Sequence, residues 1–315
     1  MDDIARLSAQ DRSDLFQAAA KARGDMRPAL IEKDFWVCWT LRRIFSLESP
    51  PASFVFKGGT SLSKVFRAID RFSEDVDLSF DRAALGFGGD QDPTKAASKT
   101  QASKRLEKLS ETCREMIRTK FMPQLETAFG QALGTAPSKK TWWIEIDPDD
   151  PDKQTLAFHY PVVDRVDSGA RYSKPAVRLE LGARGEQWPA DWATVTPYAA
   201  EAVPKLFKDS ACKVKALAAE RTFWEKATIL HVLYHYPPGK KMAERQSRHY
   251  YDLAKLYAKD MGKKALSDLG LLKSVVEHKS IFFASAAAKY DLAVPGSLRL
   301  MPRMRNTTSR RFPSR

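Results

Sequence analysis

Residues 57–80 read KGGTSLSKVFRAIDRFSEDVDLSF, and the fold follows from this stretch. Ser53–Lys57 is a short β-type run that stops at Gly58-Gly59. Thr60–Ile69 then reads as a helix opening at the glycines, and Val76–Phe80 as a strand of alternating pattern. Each part has a physical use. Glycines let backbone N–H groups approach phosphate oxygens with no Cβ in the way. A helix that opens at Thr60 offers unpaired N–H groups and the positive end of its dipole to an anion. Thr60 and Ser61 add hydroxyl donors, and Lys57 and Lys64 flank the turn as further nucleotide-binding candidates.

The period of a strand is two, so Asp75 and Asp77 project from one face while Val76 and Leu78 point the other way. Two carboxylates side by side repel each other. Mg2+ (or Mn2+) relieves that repulsion and can hold a nucleoside triphosphate at the same time. An Asp-x-Asp pair alone is common in surface turns; its weight here comes from Gly58-Gly59 ahead of it, with residues 60–74 between. A third carboxylate usually completes such a site, and Glu180 in AVRLEL is the candidate. Val177, Leu179 and Leu181 would face the core, which leaves Arg178 and Glu180 on the other face. The alternative is a solvated glutamate paired with Arg178.

Outside this stretch, the chain of 315 residues is long enough for one large domain or two lobes. With 43% hydrophobic and 29% charged residues, its composition is that of a soluble globular protein. No apolar run approaches the roughly 18 residues of a membrane span. The start, MDDIARLSAQDRSD, does not resemble a signal peptide. Cys38, Cys113 and Cys212 are scattered, odd in number and without CxxC spacing, which points to a reducing cytoplasm and away from a disulfide framework. The net charge of +13 favours polyanionic partners, nucleic acid first among them.

The first 50 residues predict helices over Asp14–Arg23, capped by Ser13, and over Pro28–Phe45. Leu85–Ser103 reads as a mobile loop and Lys104–Phe129 as one long amphipathic helix. Strands are expected at Trp142–Ile146, Leu156–Val163, Ala176–Leu181 and Cys212–Leu217. Helices follow near Ala219–Tyr236, Ala243–Tyr257 and Lys264–Phe283. A lobe boundary is expected near Pro204, giving 1–204 and 205–315. The end, LRLMPRMRNTTSRRFPSR, has six arginines and no acidic residue, and reads as a disordered tail or a phosphate-binding arm.

KGGTSLSK followed by RFSEDVDLSF resembles the AbiEii nucleotidyltransferases, toxins of toxin–antitoxin pairs in the DNA-polymerase-β-like superfamily. IEKDFWVCWTLRRIF, RLELGAR, ERTFWEKATILH and SRHYYDLAKL resemble further family segments in the right order, so the likeness runs from about residue 28 to about residue 300. The resemblance implies an α+β fold: a polymerase-β-like core with a mixed sheet, N-terminal helices and a C-terminal helical lobe. It assigns Gly58, Gly59 and Ser61 to the nucleotide phosphates and Asp75 and Asp77 to the metals. Lys226 would neutralise the triphosphate, and Asp252 would close the site. The implied acceptor is RNA, often the 3′ end of tRNA, and the implied partner an antitoxin. The rival readings are a non-catalytic RNA- or protein-binding module and transfer to a protein or small molecule.

Three features suggest other chemistry. His231 and His235 share a helix face at zinc spacing, but Val232 stands where a zincin has Glu and no third ligand is evident. Trp142-Trp143 could stack a base, or pack one ring in the core and cover an edge with the other. Lys95, Lys99, Lys104, Arg105 and Lys108 could grip an RNA backbone or simply solvate the loop beside them.

Overall fold

A computed structural model describes residues 1–24, 26–134, 141–163, 175–237, 240 and 245–301. The chain divides into two compact units, Met1–Ala219 and Glu220–Arg315. In the first unit, helices α1 (Asp2–Ala5), α2 (Ala9–Ala22) and α3 (Pro28–Phe45) precede strand β1 (Phe54–Lys57), helix α4 (Gly58–Lys64) and strand β2 (Val76–Phe80). Next come α5 (Lys99–Met116), α6 (Met122–Leu133), β3 (Trp143–Ile146), β4 (Thr155–His159), β5 (Val177–Gly182), β6 (Ala190–Val195), α7 (Tyr198–Ala202) and β7 (Cys212–Leu217). The second unit is helical: α8 (Ala219–Tyr234, whose first residue closes the first unit), α9 (Ser247–Tyr257), α10 (Asp260–Ser267) and α11 (Leu269–Phe282). The fold is α+β, as the sequence implies.

The strands form one mixed sheet in the order β3-β4-β5-β2-β1-β7-β6. β2 runs antiparallel to β1 and parallel to β5, and β1 runs parallel to β7. One face of the sheet is packed with aromatic rings. α3 begins with Pro28 at its first turn, where a missing N–H costs nothing, and is buried continuously from Ile31 to Leu41. It lays Trp36 and Trp39 against Phe158 of β4, with ring centroids 6.0 and 5.7 Å apart, and Phe129 of α6 meets the same ring at 4.7 Å. Phe121 packs edge-on against Phe80 at 5.1 Å. The opposite face carries the polar members of β1, β2, β4 and β5.

Several elements differ from the sequence expectation, each for a local reason. The first long helix begins at Ala9 because Ser8, not Ser13, caps it by accepting from Asp11 N–H. The single helix expected over Lys104–Phe129 starts at Lys99, capped by Ser98, and is interrupted by a π-helical turn at Ile117–Phe121. Pro123 lies just beyond and lacks the N–H a continuous helix would need there. Asp268 splits the last expected helix in two, capping α11 by accepting from Leu271 N–H. β6 was not expected; it is an edge strand whose Asp191 and Trp192 are exposed, so it lacks a clean alternation. The expected boundary near Pro204 falls before β7, which pairs with β1 and β6 and so belongs to the first unit. Of the arginine-rich end, the residues after Met301 lie outside those described.

No helix among the described residues is long and apolar enough to cross a membrane. All three cysteines are free and buried. Phe158 joins α3, α6 and the sheet. Replacing it with alanine is expected to cost about 3–5 kcal/mol, read as a lower midpoint in denaturant unfolding.

Candidate active site

The register of three strands builds the site. Lys57 on β1 sits opposite Asp77 on β2, and Asp77 sits opposite Glu180 on β5. Thr155 on β4 continues the row beyond Glu180. Directly paired residues share a face, so Lys57, Asp77 and Glu180 project together from the face away from the aromatic core; Asp75, just before β2, is close enough to Glu180 to feel its charge. Glu180 is exposed, and Asp75 and Asp77 are partly so.

Gly58 is the tightest constraint. Its φ is +79°, in the left-handed region, and a Cβ there would stand 1.8 Å from Asp77 Oδ2. The turn is thus pressed against the carboxylate, and only glycine leaves room for it. Gly59 is similarly close to Arg71 and Ser73: a Cβ would meet Arg71 Nη2 and Ser73 Oγ at 2.8 Å each. Thr60 and Ser61 are buried and face inward. The Thr60 hydroxyl donates to the Asp75 carbonyl at 2.5 Å and lies 3.0 Å from Ser73 Oγ; the Ser61 hydroxyl donates to the Gly58 carbonyl at 3.0 Å. These bonds hold the Gly-Gly turn and the approach to β2 in one arrangement.

Burial pushes both aspartates above the ordinary carboxylate range. Asp75 is raised first by desolvation and then by the charges of Glu180 and Glu74. Asp77 is raised well above its usual value, first by desolvation and then by Glu180 opposite it, while Lys57 pulls it down. Burial is the larger cause of both shifts, and the neighbouring carboxylates add to it. The donors are hard oxygens, which suit Mg2+ or Mn2+. Among the described residues no three acidic, His or Cys side chains already stand in metal-binding array. Asp77 and Glu180, paired in register, and Asp75 beside them are the oxygen donors that a divalent cation would use.

Other expected residues have different surroundings. Lys64 is buried in an ion pair with Asp34 of α3 at 2.7 Å, and its ammonium lies 3.8 Å from the Tyr198 ring centroid. Asp34 also accepts from Tyr198 N–H at 2.5 Å. In the structure Lys64 thus anchors α4 to α3. Lys226 and Asp252 belong to the second unit, where they are buried as a pair 2.9 Å apart. Beside them, the pKa of His249 is pushed down to about 4 by burial first, then by Lys226 and Arg248.

His231 uses both ring nitrogens structurally: Nε2 lies 2.9 Å from the Lys289 carbonyl, and Nδ1 accepts from Arg299 N–H at 3.0 Å. Trp142 is buried, and Trp143 stacks on His159 at 4.1 Å.

The sequence did not single out four neighbours of the site. Gly185 approaches Ser79 and Lys57: a Cβ there would meet Lys57 Nζ at 3.2 Å. Arg71 lies against Gly59. Lys33 and Glu74 form a buried ion pair at 3.6 Å next to Asp75. Burial lowers the pKa of Lys33, with Glu74 and Asp75 opposing the shift. The available signal was the run Glu32-Lys33-Asp34, three charges inside an apolar helix.

Two consequences can be measured. Gly58→Ala places a methyl group inside the Asp77 carboxylate and forces a left-handed alanine, so it is expected to lower the melting temperature and abolish nucleotide-dependent chemistry. The second concerns pH. A carboxyl whose folded pKa is raised gives stability that is complete below its unfolded value of 3.8 and is lost as pH rises through the folded value. Asp77→Asn removes that loss. In chelator, between about pH 4 and pH 8, the variant should melt higher than the wild type at neutral pH, by about 2–4 °C per kcal/mol, and show no advantage at the acid end.

No curated protein sequence matches the chain. Among solved structures it is similar to MenT4, a nucleotidyltransferase toxin from Mycobacterium tuberculosis, with 13% sequence identity and a TM-score of 0.40, covering 88% of this chain and 99% of that one. A family model described as nucleotidyl transferase AbiEii toxin, type IV toxin–antitoxin system, matches residues 39–311. That span includes the Gly-Gly turn, Asp75, Asp77 and Glu180, and the chain belongs to the AbiEii nucleotidyltransferase toxin family.

Proposed function

We propose that this nucleotidyltransferase moves a nucleoside monophosphate from an NTP to the 3′ end of tRNA in the cytoplasm, so that translation and growth stop until a cognate antitoxin restrains it. The observation that carries the chemical part is the row Lys57–Asp77–Glu180 with Gly58 packed against the Asp77 carboxylate. A phosphate approaching the N–H groups of the Gly-Gly turn is brought beside carboxylates whose charge Lys57 offsets only in part. Family membership supports the reaction class, and the net charge of +13 supports a polyanionic acceptor. Three buried free cysteines accord with a reducing compartment.

Mg2+ or Mn2+ held by Asp75, Asp77 and Glu180 would supply positive charge against the triphosphate. Lys57 adds a fixed positive charge at the end of the row. Gly58 and Gly59 admit the phosphates to the backbone. Glu180 or Asp77 receives the proton of the acceptor hydroxyl; that oxygen bonds to the α-phosphorus, the bond to the bridging oxygen breaks, and pyrophosphate leaves. Lys226 and Asp252 enter the proposal from family resemblance, as a counter-charge to the triphosphate and its neighbour.

The test is transfer from each of the four labelled NTPs to total tRNA, with Mg2+ present. Label at the RNA 3′ end is the expected result, and Asp75→Ala should reduce it at least about 100-fold and relieve growth inhibition. Label on protein or on a small molecule would replace the acceptor. Absence of label from a folded protein with every NTP would replace catalysis with binding alone. Persistent toxicity of Asp75→Ala would separate growth inhibition from this site.

A further inference from the structure

Lys33 lies in α3, is only 3% exposed, and belongs to neither strand that carries the carboxylates. Its ammonium donates to the carbonyl of Ala176, the residue just before β5, and lies 3.6 Å from Glu74 Oε2. Glu74 is the residue just before Asp75. Its Oε2 is buried, and the Lys33 ammonium is the charge that faces it. One side chain thus touches the approaches to both β2 and β5: Glu74 directly precedes Asp75, and Ala176 directly precedes the strand that carries Glu180. The adjacent residue, Asp34, holds the Gly-Gly helix through Lys64. Two consecutive side chains of one buried helix therefore tether the acidic strands and the phosphate-binding turn.

We propose that Lys33 is a positioning residue for nucleotidyl transfer: it ties the segment before Asp75 to the start of the strand that carries Glu180, and so orients those carboxylates for a divalent cation. The inference rests on the metal-dependent reading above. It has a consequence opposite in sign to simple electrostatics. Removing a positive charge near a cation site strengthens cation binding by Coulomb's law. Removing a tether that orients the ligands weakens it, typically by about 10- to 100-fold.

The deciding measurement is Mn2+ affinity of the full chain by calorimetry without nucleotide, alongside kcat and KM for the NTP. Lys33→Met is expected to weaken Mn2+ binding at least about tenfold, lower kcat more than it raises KM, and leave the fold intact by circular dichroism. Lys33→Arg, which keeps the charge and a donor, should recover much of the loss. Lys33→Gln, able to keep the bond to the Ala176 carbonyl, serves if the methionine variant does not fold, and the same weakening is expected of it. Mn2+ affinity unchanged or increased in the folded variant would overturn the proposal. A wild-type protein that binds no Mn2+ would instead overturn the metal-dependent reading beneath it.

Discussion

Four carboxylates, those of Glu74, Asp75, Asp77 and Glu180, gather at one end of the sheet, and the arrangement around them answers to their mutual repulsion. β2 and β5 are parallel neighbours, so Asp77 and Glu180 face each other across a strand spacing of about 4.8 Å. Burial adds to the repulsion by removing water from Asp75 and Asp77. Lys57 offsets the row at one end, Lys33 offsets Glu74 at the other, and Arg178 carries its charge nearby while bound to Asp147 at 3.0 Å. On the proposed function, the remaining imbalance is what a divalent cation would offset.

α3 is what makes such crowding tolerable. Its aromatic residues fill the core beneath the sheet, while Lys33 and Asp34 reach the two ends of the site from inside the protein. Buried charges on a core helix are destabilising unless paired, since each loses its hydration. Here each pairing joins separate elements: Asp34 joins α3, α4 and the start of α7, and Lys33 joins α3 to the approaches of β2 and β5. The helix thus sets the geometry of the site as well as supporting the sheet.

Local sequence determined much of this protein. The Gly-Gly turn, the Asp-x-Asp strand and helix α3 were legible because glycine conformation, strand period and the proline start of a helix are properties of a few adjacent residues. Glu180 was legible too, because the alternation of AVRLEL assigns it a face. The exposed edge strand β6 and the break at the π-helical turn were not, since neither leaves a hydrophobic period to read. Tertiary structure alone decided which charges meet. Lys64 looks like a phosphate ligand beside the glycines but is drawn to Asp34, thirty residues earlier. Lys33 stands among three charges in an apolar helix, and only the fold puts it against Glu74. The physical reason is that electrostatic pairing depends on distance in space, and sheet register and helix packing bring together residues that the chain order keeps far apart.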